Sequence, residues 1–216
     1  DTWPRNGPPR DPAAWLIMVG RNRAIDGLRR SSRLQPLPEE DLLTPSCLGG
    51  RDAPMSPRSL FVDRSNRLWI GSFGAGARYA EIAPTPMAQW RWRNWTDQAD
   101  SRDRQIWAYA ESATGDLFIG SDAGVTRWRA DGREQTHFDL DPEKNDELRS
   151  LLATSDGRIW ASTVGAVYRI DPDTLASTRF AHKEGLIDPR AYALAEWPRG
   201  QLVIGTWSGL HTMALG

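Results

Sequence analysis

Side chains able to run acid–base or metal chemistry are few and scattered in this sequence. His137, His182 and His211 are its three histidines, and Cys47 is its single cysteine. A zinc or iron site needs Cys, His or carboxylate ligands recurring at short fixed spacings. None of the three histidines has such a neighbour. The serine elbow, the phosphate loop and the zinc-protease motif are also missing from the chain. Gly71-Ser72-Phe73-Gly74-Ala75-Gly76 has the glycines of a dinucleotide loop. Such a loop must open a helix whose N-terminus meets the phosphates, and no helical pattern follows it. The run from Asp139 to Glu147, and the trio Asp97, Asp100 and Asp103, could offer oxygens to calcium. The first lacks the loop glycine and alternation of a calcium motif, and Arg102 and Arg104 offset the second. Both read as solvated loops. No catalytic residue, metal or cofactor is assigned.

Aromatic residues give a second lead. The chain has 11 Trp against 5 Phe and 4 Tyr. In Gln89-Trp90-Arg91-Trp92-Arg93-Asn94-Trp95, interleaved Arg and Trp could stack on sugars or bases. The plainer reading packs the Trp rings on a neighbouring sheet and leaves Arg in water. With 27 basic and 28 acidic side chains the formal net charge is −1. That balance leaves no electrostatic footprint for nucleic acid or an anionic membrane surface. The longest apolar run, Ala13 to Val19, is far short of a bilayer span. Asp1-Thr2-Trp3-Pro4-Arg5 is not a secretory start, and without an initiating Met the chain reads as a processed or excised segment. One cysteine excludes an intrachain disulfide and says little about compartment.

The elements that must position any site emerge from repetition. Arg67-Leu68-Trp69-Ile70-Gly71-Ser72 returns as Asp116 to Ser121, Arg158 to Thr163 and Gln201 to Thr206, at spacings of 49, 42 and 43. A fainter copy lies at Ile17-Met18-Val19-Gly20-Arg21. Each clear copy follows a short apolar segment, such as Ser59 to Val62 or Ser150 to Ala153, that reads as a strand buried on both faces. Between them stand turns such as Asp63 to Asn66 and Thr154 to Gly157, where Asn and Gly tolerate positive φ. An alternating third strand follows (Gly124 to Arg129, Gly165 to Ile170), then a polar fourth (Glu134 to Phe138, Ser177 to Phe180). The motif glycine predicts close backbone approach. Trp69 and Trp160 are expected to be packing residues.

Four antiparallel strands in a unit of roughly 42–50 residues predict an all-β fold, a β-propeller of four-stranded blades. The expected repeats are 1–50, 51–100, 101–145, 146–186 and 187–216, with the first and last incomplete. Incomplete end blades leave unpaired edges, so a fragment of a larger ring is favoured.

The repeat of apolar strand, turn, Leu-Trp-Ile-Gly-Ser and Gly-aliphatic-x-Arg resembles the two-component regulator propeller repeat. It does so best over Phe61 to Ser72 and Leu151 to Ile170. The resemblance implies a seven-bladed, extracytoplasmic or periplasmic sensor propeller of a bacterial histidine kinase or diguanylate cyclase receptor. It implies a carbohydrate or other small-molecule ligand, further blades, and an output domain beyond this chain. No membrane contact is expected of this segment.

Propeller ligands sit at a channel mouth, where loops from fourth to first strands meet loops from second to third. Here those loops carry Phe73, Arg104, Gln105, Asp122, Arg190 and Trp207, a set suited to a polar small molecule or sugar. Two rival readings remain. A propeller enzyme of lyase or glycosidase type would have to aim His182, Glu184 and Arg190 into the channel. A protein-interaction scaffold would use a face or the Trp90–Trp95 strand.

Overall fold

A computed structural model describes residues 57–95, 105–140 and 147–215. The first expected repeat, Cys47, Arg104, the Asp97–Asp103 cluster and residues 141–146 lie outside the described residues. All described residues belong to one compact unit, 43–216.

The repeat folds as blades. Blade 1 contains β1 (Pro57–Val62), β2 (Arg67–Ser72), β3 (Ala77–Glu81) and β4 (Arg93–Asn94). Blade 2 contains β5 (Ile106–Glu111), β6 (Leu117–Ser121), β7 (Gly124–Trp128) and β8 (Gln135–Phe138). Blade 3 contains β9 (Leu148–Ala153), β10 (Ile159–Thr163), β11 (Val167–Ile170) and β12 (Ser177–Phe180). Blade 4 contains β13 (Ala191–Glu196), β14 (Gln201–Thr206) and β15 (Gly209–Ala214). Within each sheet the strands lie in chain order and pair antiparallel. The expected turn chemistry is present: Asn66 and Gly157 hold φ of 58° and 83°.

The core lies between blades. Trp69, Trp95, Ile106, Tyr109 and Trp128 fill the seam of blades 1 and 2. Phe118, Leu148, Leu151 and Tyr168 fill the next, and Trp160, Val167, Ala191 and Leu202 the third. Trp69 and Trp160 are buried, as the repeat predicted.

Two expectations change. The outer strand of blade 1 is two residues long, because the chain first makes a 3-10 turn, Met87–Gln89. Trp90 lies before that strand and donates its indole N–H to the Thr85 carbonyl, 2.9 Å away, while Trp95 is buried in the seam. Second, β1 is not buried on both faces: Leu60 and Val62 are 66% and 53% exposed. On the same side of blade 1, Ile70 is buried against Leu68, Ala75 and Trp92.

Half-buried glutamates lock two of the seams at the turn end of the blades. The Glu111 carboxylate accepts the Arg64 backbone N–H of blade 1 at 3.0 Å. In blade 4, Glu196 accepts the Gly200 N–H at 2.6 Å, and the Ser155 N–H of blade 3 at 2.8 Å with the Ser155 hydroxyl. The Gly200 N–H, then the Ser155 hydroxyl, hold the Glu196 carboxyl below its ordinary value of 4.5. A lowered folded pKa means stabilisation that is present above the ordinary value and lost as pH falls through the folded one. Denaturant melts across the carboxylate range are therefore expected to show a shallower acid slope for Glu196→Gln than for the parent. Equal slopes would refute this role.

Candidate mouth of the propeller

Antiparallel order brings the start of each first strand and the end of each second strand to the same end of its blade. Here the inner strands share an irregularity invisible in the repeat consensus. Pro57 pairs with Ser72 and Ser59 with Gly71, leaving Arg58 as an extra residue. Ile106 and Ala108 pair with Ser121 and Gly120, leaving Trp107. Leu148 and Ser150 pair with Thr163 and Ser162, leaving Arg149, and Ala191 and Ala193 pair with Thr206 and Gly205, leaving Tyr192. Every described blade thus carries a β-bulge at one position, and a bulge frees one side chain from strict alternation.

The freed side chains interlock with the loops after the second strands. The Arg58 guanidinium lies 5.5 Å from the Phe73 ring centroid. Phe73 meets Trp107 of the next blade edge-on at 6.4 Å, and its backbone bridges to Gln105. Trp107 donates its indole N–H to Asp122. The Arg149 guanidinium of blade 3 lies 4.8 Å from the Trp107 ring and pairs with Glu147. One strip therefore runs Arg58, Phe73, Trp107, Arg149 across three blades.

Blade 4 builds a second cluster. Buried Asp188 accepts the Arg190 backbone N–H (3.0 Å), its Nε–H (2.9 Å), its Nη2–H (2.8 Å) and the Ser208 hydroxyl (2.5 Å). The Arg190 side chain, then Ser208, pull the Asp188 carboxyl far below the usual carboxylate range. The Arg190 guanidinium lies 5.6 Å from the Trp207 ring, and Tyr192 lies 6.3 Å from it.

Phe73, Gln105 and Asp122 of the predicted set thus meet in the first cluster, through Trp107. Arg190 and Trp207 meet in the second. Arg104 lies outside the described residues. Sequence reasoning missed Arg58, Trp107, Arg149, Tyr192 and Asp188. A signal existed: a large residue precedes Ser or Ala at 58, 107, 149 and 192, with the spacings of the repeat itself.

Elsewhere the chemistry is local. Glu184 accepts the Ala181 N–H of its own 3-10 turn at 2.8 Å, and Arg190 is held by Asp188, so neither is aimed at His182. His137 Nδ1 lies 3.0 Å from the Thr126 hydroxyl, and its Nε2 lies 3.0 Å from the Ala123 carbonyl oxygen. Among the described residues no three His, Cys, Asp or Glu side chains cluster as metal ligands. At the opposite, turn end a cavity of about 340 Å³ is lined by Asp116, Arg129, Asp131 and Asp173. Its Asp116 already accepts the Ala130 N–H at 3.0 Å and Arg129 at 3.3 Å.

No family model matches the chain. An uncharacterized protein of Rhizobium meliloti (strain 1021) is 59% identical over 56 residues, which is 26% of this chain and 13% of that protein. The fold resembles the extracellular domain of the hybrid two component system BT3049 from B. thetaiotaomicron, with a TM-score of 0.62 at 17% identity. That match covers 77% of this chain and 24% of the domain. The extracellular domain of the one component system BT4673 from the same organism gives 0.62 at 16%, covering 78% and 25%. Virginiamycin B lyase from Staphylococcus aureus gives 0.53 at 16%, covering 76% and 57%. Likeness at this identity defines the fold: the described residues form a run of β-propeller blades. It spans about a quarter of the two sensor domains it resembles. Among the described residues no helix is long and apolar enough to cross a membrane.

Proposed function

We propose that the chain is the ligand-sensing part of an extracytoplasmic receptor propeller, binding a small polar molecule or carbohydrate at the mouth without catalysing its conversion. The observation that carries this reading is the strip of Arg58, Phe73, Trp107 and Arg149, fixed in place by Asp122 and Glu147. Polar groups held beforehand and exposed rings beside them are what a small-molecule site requires. Likeness to two extracellular sensor domains supports the sensing role and the compartment. Likeness to a lyase transfers no catalytic group, since fold does not carry function. Further blades completing a seven-bladed ring, and an output domain beyond them, belong to this reading as what the repeat's resemblance implies.

Isothermal titration of the chain against oligosaccharides and small polar metabolites tests this. Saturable binding without turnover is expected, weakened about tenfold or more by Phe73→Ala and by Trp207→Ala, as for truncated aromatic anchors. Both rings are exposed, so folding survives their loss. Binding untouched by either change, or turnover of a bound compound, would reject the proposal. A folded chain that binds only another protein would favour the scaffold reading.

A further inference from the structure

The repeated bulge has a chemistry of its own. Its flanking residues are small or aliphatic: Pro57 and Ser59, Ile106 and Ala108, Leu148 and Ser150, Ala191 and Ala193. The bulged residue is large each time, and planar at its tip: Arg58, Trp107, Arg149, Tyr192. A bulge needed only to bend a strand has no use for such side chains. One that re-aims a side chain beside a binding site does. We infer that these four bulge residues are the specificity determinants of the mouth, and that they select a neutral saccharide over an acidic one. The inference rests on the mouth-binding reading above.

Charge decides the ligand class. The two mouth clusters hold three guanidinium groups, on Arg58, Arg149 and Arg190, and three carboxylates, on Asp122, Glu147 and Asp188. Arg149 pairs with Glu147 and Arg190 with Asp188, so two of the three cations are already matched. Equal charges, most of them paired, leave these clusters little net field to draw in an anion. Glu147 is exposed on the rim, where it would stand against an incoming carboxylate. What remains is a mixture of donors and acceptors in set positions beside the exposed rings of Phe73, Tyr192 and Trp207. A neutral sugar matches that mixture, with hydroxyls that donate and accept and with C–H faces that pack on aromatic rings. Fixing the polar groups beforehand lowers the ordering cost of binding.

The test is titration of the full chain with neutral gluco-, xylo- and fructo-oligosaccharides and with oligouronates, at low and high salt. A neutral oligosaccharide is expected to bind with less than about a twofold change between the two salts, as for an uncharged ligand. Arg58→Met, Arg149→Met and Tyr192→Leu are each expected to weaken it about tenfold, with thermal unfolding of Arg58→Met and Tyr192→Leu unchanged because both side chains are exposed. Tighter, salt-sensitive binding of an oligouronate would overturn the neutral-sugar selection. Neutral-sugar binding that survives all three bulge changes but is lost in Phe73→Ala would overturn the role of the bulges and leave the mouth reading standing. Absence of binding to every saccharide and metabolite would overturn both.

Discussion

An Asp63→Ala chain is expected to lose about 3–5 kcal/mol of stability, the cost of leaving a buried charge without its partner. Asp63 closes the turn between β1 and β2, where its Oδ1 accepts the Arg67 backbone N–H at 3.0 Å. Its Oδ2 accepts the Arg67 Nε–H at 2.6 Å and the Trp69 indole N–H at 2.8 Å. The two charged side chains are only 1% and 16% exposed. Held there, the Arg67 guanidinium lies 5.8 Å from the Trp69 ring, 5.7 Å from Tyr79 and 4.7 Å from Trp128 of the next blade. One carboxylate therefore places the cation that joins blades 1 and 2, and each such cation–π contact adds about 0.5–2 kcal/mol. Truncation strands both the guanidinium and the indole N–H. Adding Arg67→Met should recover much of the loss, because an apolar replacement of a buried pair is often near neutral. Denaturant melts of the two single variants and the double variant give the coupling directly. An Asp63→Ala chain within about 0.5 kcal/mol of the parent would contradict this account.

The same position in blade 3 shows why the repeat cannot be read as four identical units. Thr154 replaces the aspartate and spends its hydroxyl on Asp156, 2.5 Å away, and on the Arg158 carbonyl, 3.1 Å away. The Trp160 indole N–H is buried without a partner. The clamp in blade 1 is thus a local elaboration of a shared frame. The shared frame was legible from sequence because it rests on short-range rules. Period-2 alternation, turn residues tolerant of positive φ and the recurring Leu-Trp-Ile-Gly all act within a few residues. Strand order and turns in blades 2 and 3 followed from them. The shortened β4 did not, because the 3-10 turn at Met87–Gln89 diverts a stretch whose composition still reads as strand. Exposure of Leu60 and Val62 was equally hidden, since burial depends on what lies across the seam and not on the strand itself.

The mouth was half legible for the same reason. Phe73, Asp122 and Trp207 were found by topology, since each directly follows the second strand of its repeat. Arg58, Trp107, Arg149 and Tyr192 were missed because a bulge is a property of pairing between two strands. Alternation alone would place each of them on a blade face. Only the register shows that each is the unpaired residue.

Gly71→Ala is expected to cost about 2–3 kcal/mol and Gly120→Ala about 1 kcal/mol, although both occupy the same position of the repeat. A Cβ on Gly120 would lie 2.5 Å from Leu148 Cδ2 and 3.1 Å from Leu151 Cδ1, both ends of flexible side chains in the next blade. Those ends can swing away. A Cβ on Gly71 would lie 2.2 Å from Ser59 Oγ, 2.7 Å from Ile106 Cγ2 and 2.9 Å from Ile106 Cβ. The last atom is bonded directly to the backbone and moves with no rotamer change, so relief requires strand movement. Blade 3 has a side chain at this position, Ser162, fully buried. There the residue that follows Ile106 and Leu148 in the repeat, opposite the end of its second strand, is Ala191. The smaller neighbour makes room for the larger one. Leu148→Ala should therefore cost less in a Gly120→Ala background than alone, while Ile106→Ala should not rescue Gly71→Ala, since the Cβ and Ser59 clashes remain. Equal losses at the two glycines, or full rescue of Gly71→Ala by Ile106→Ala, would show that the seams adjust as whole sheets and not side chain by side chain.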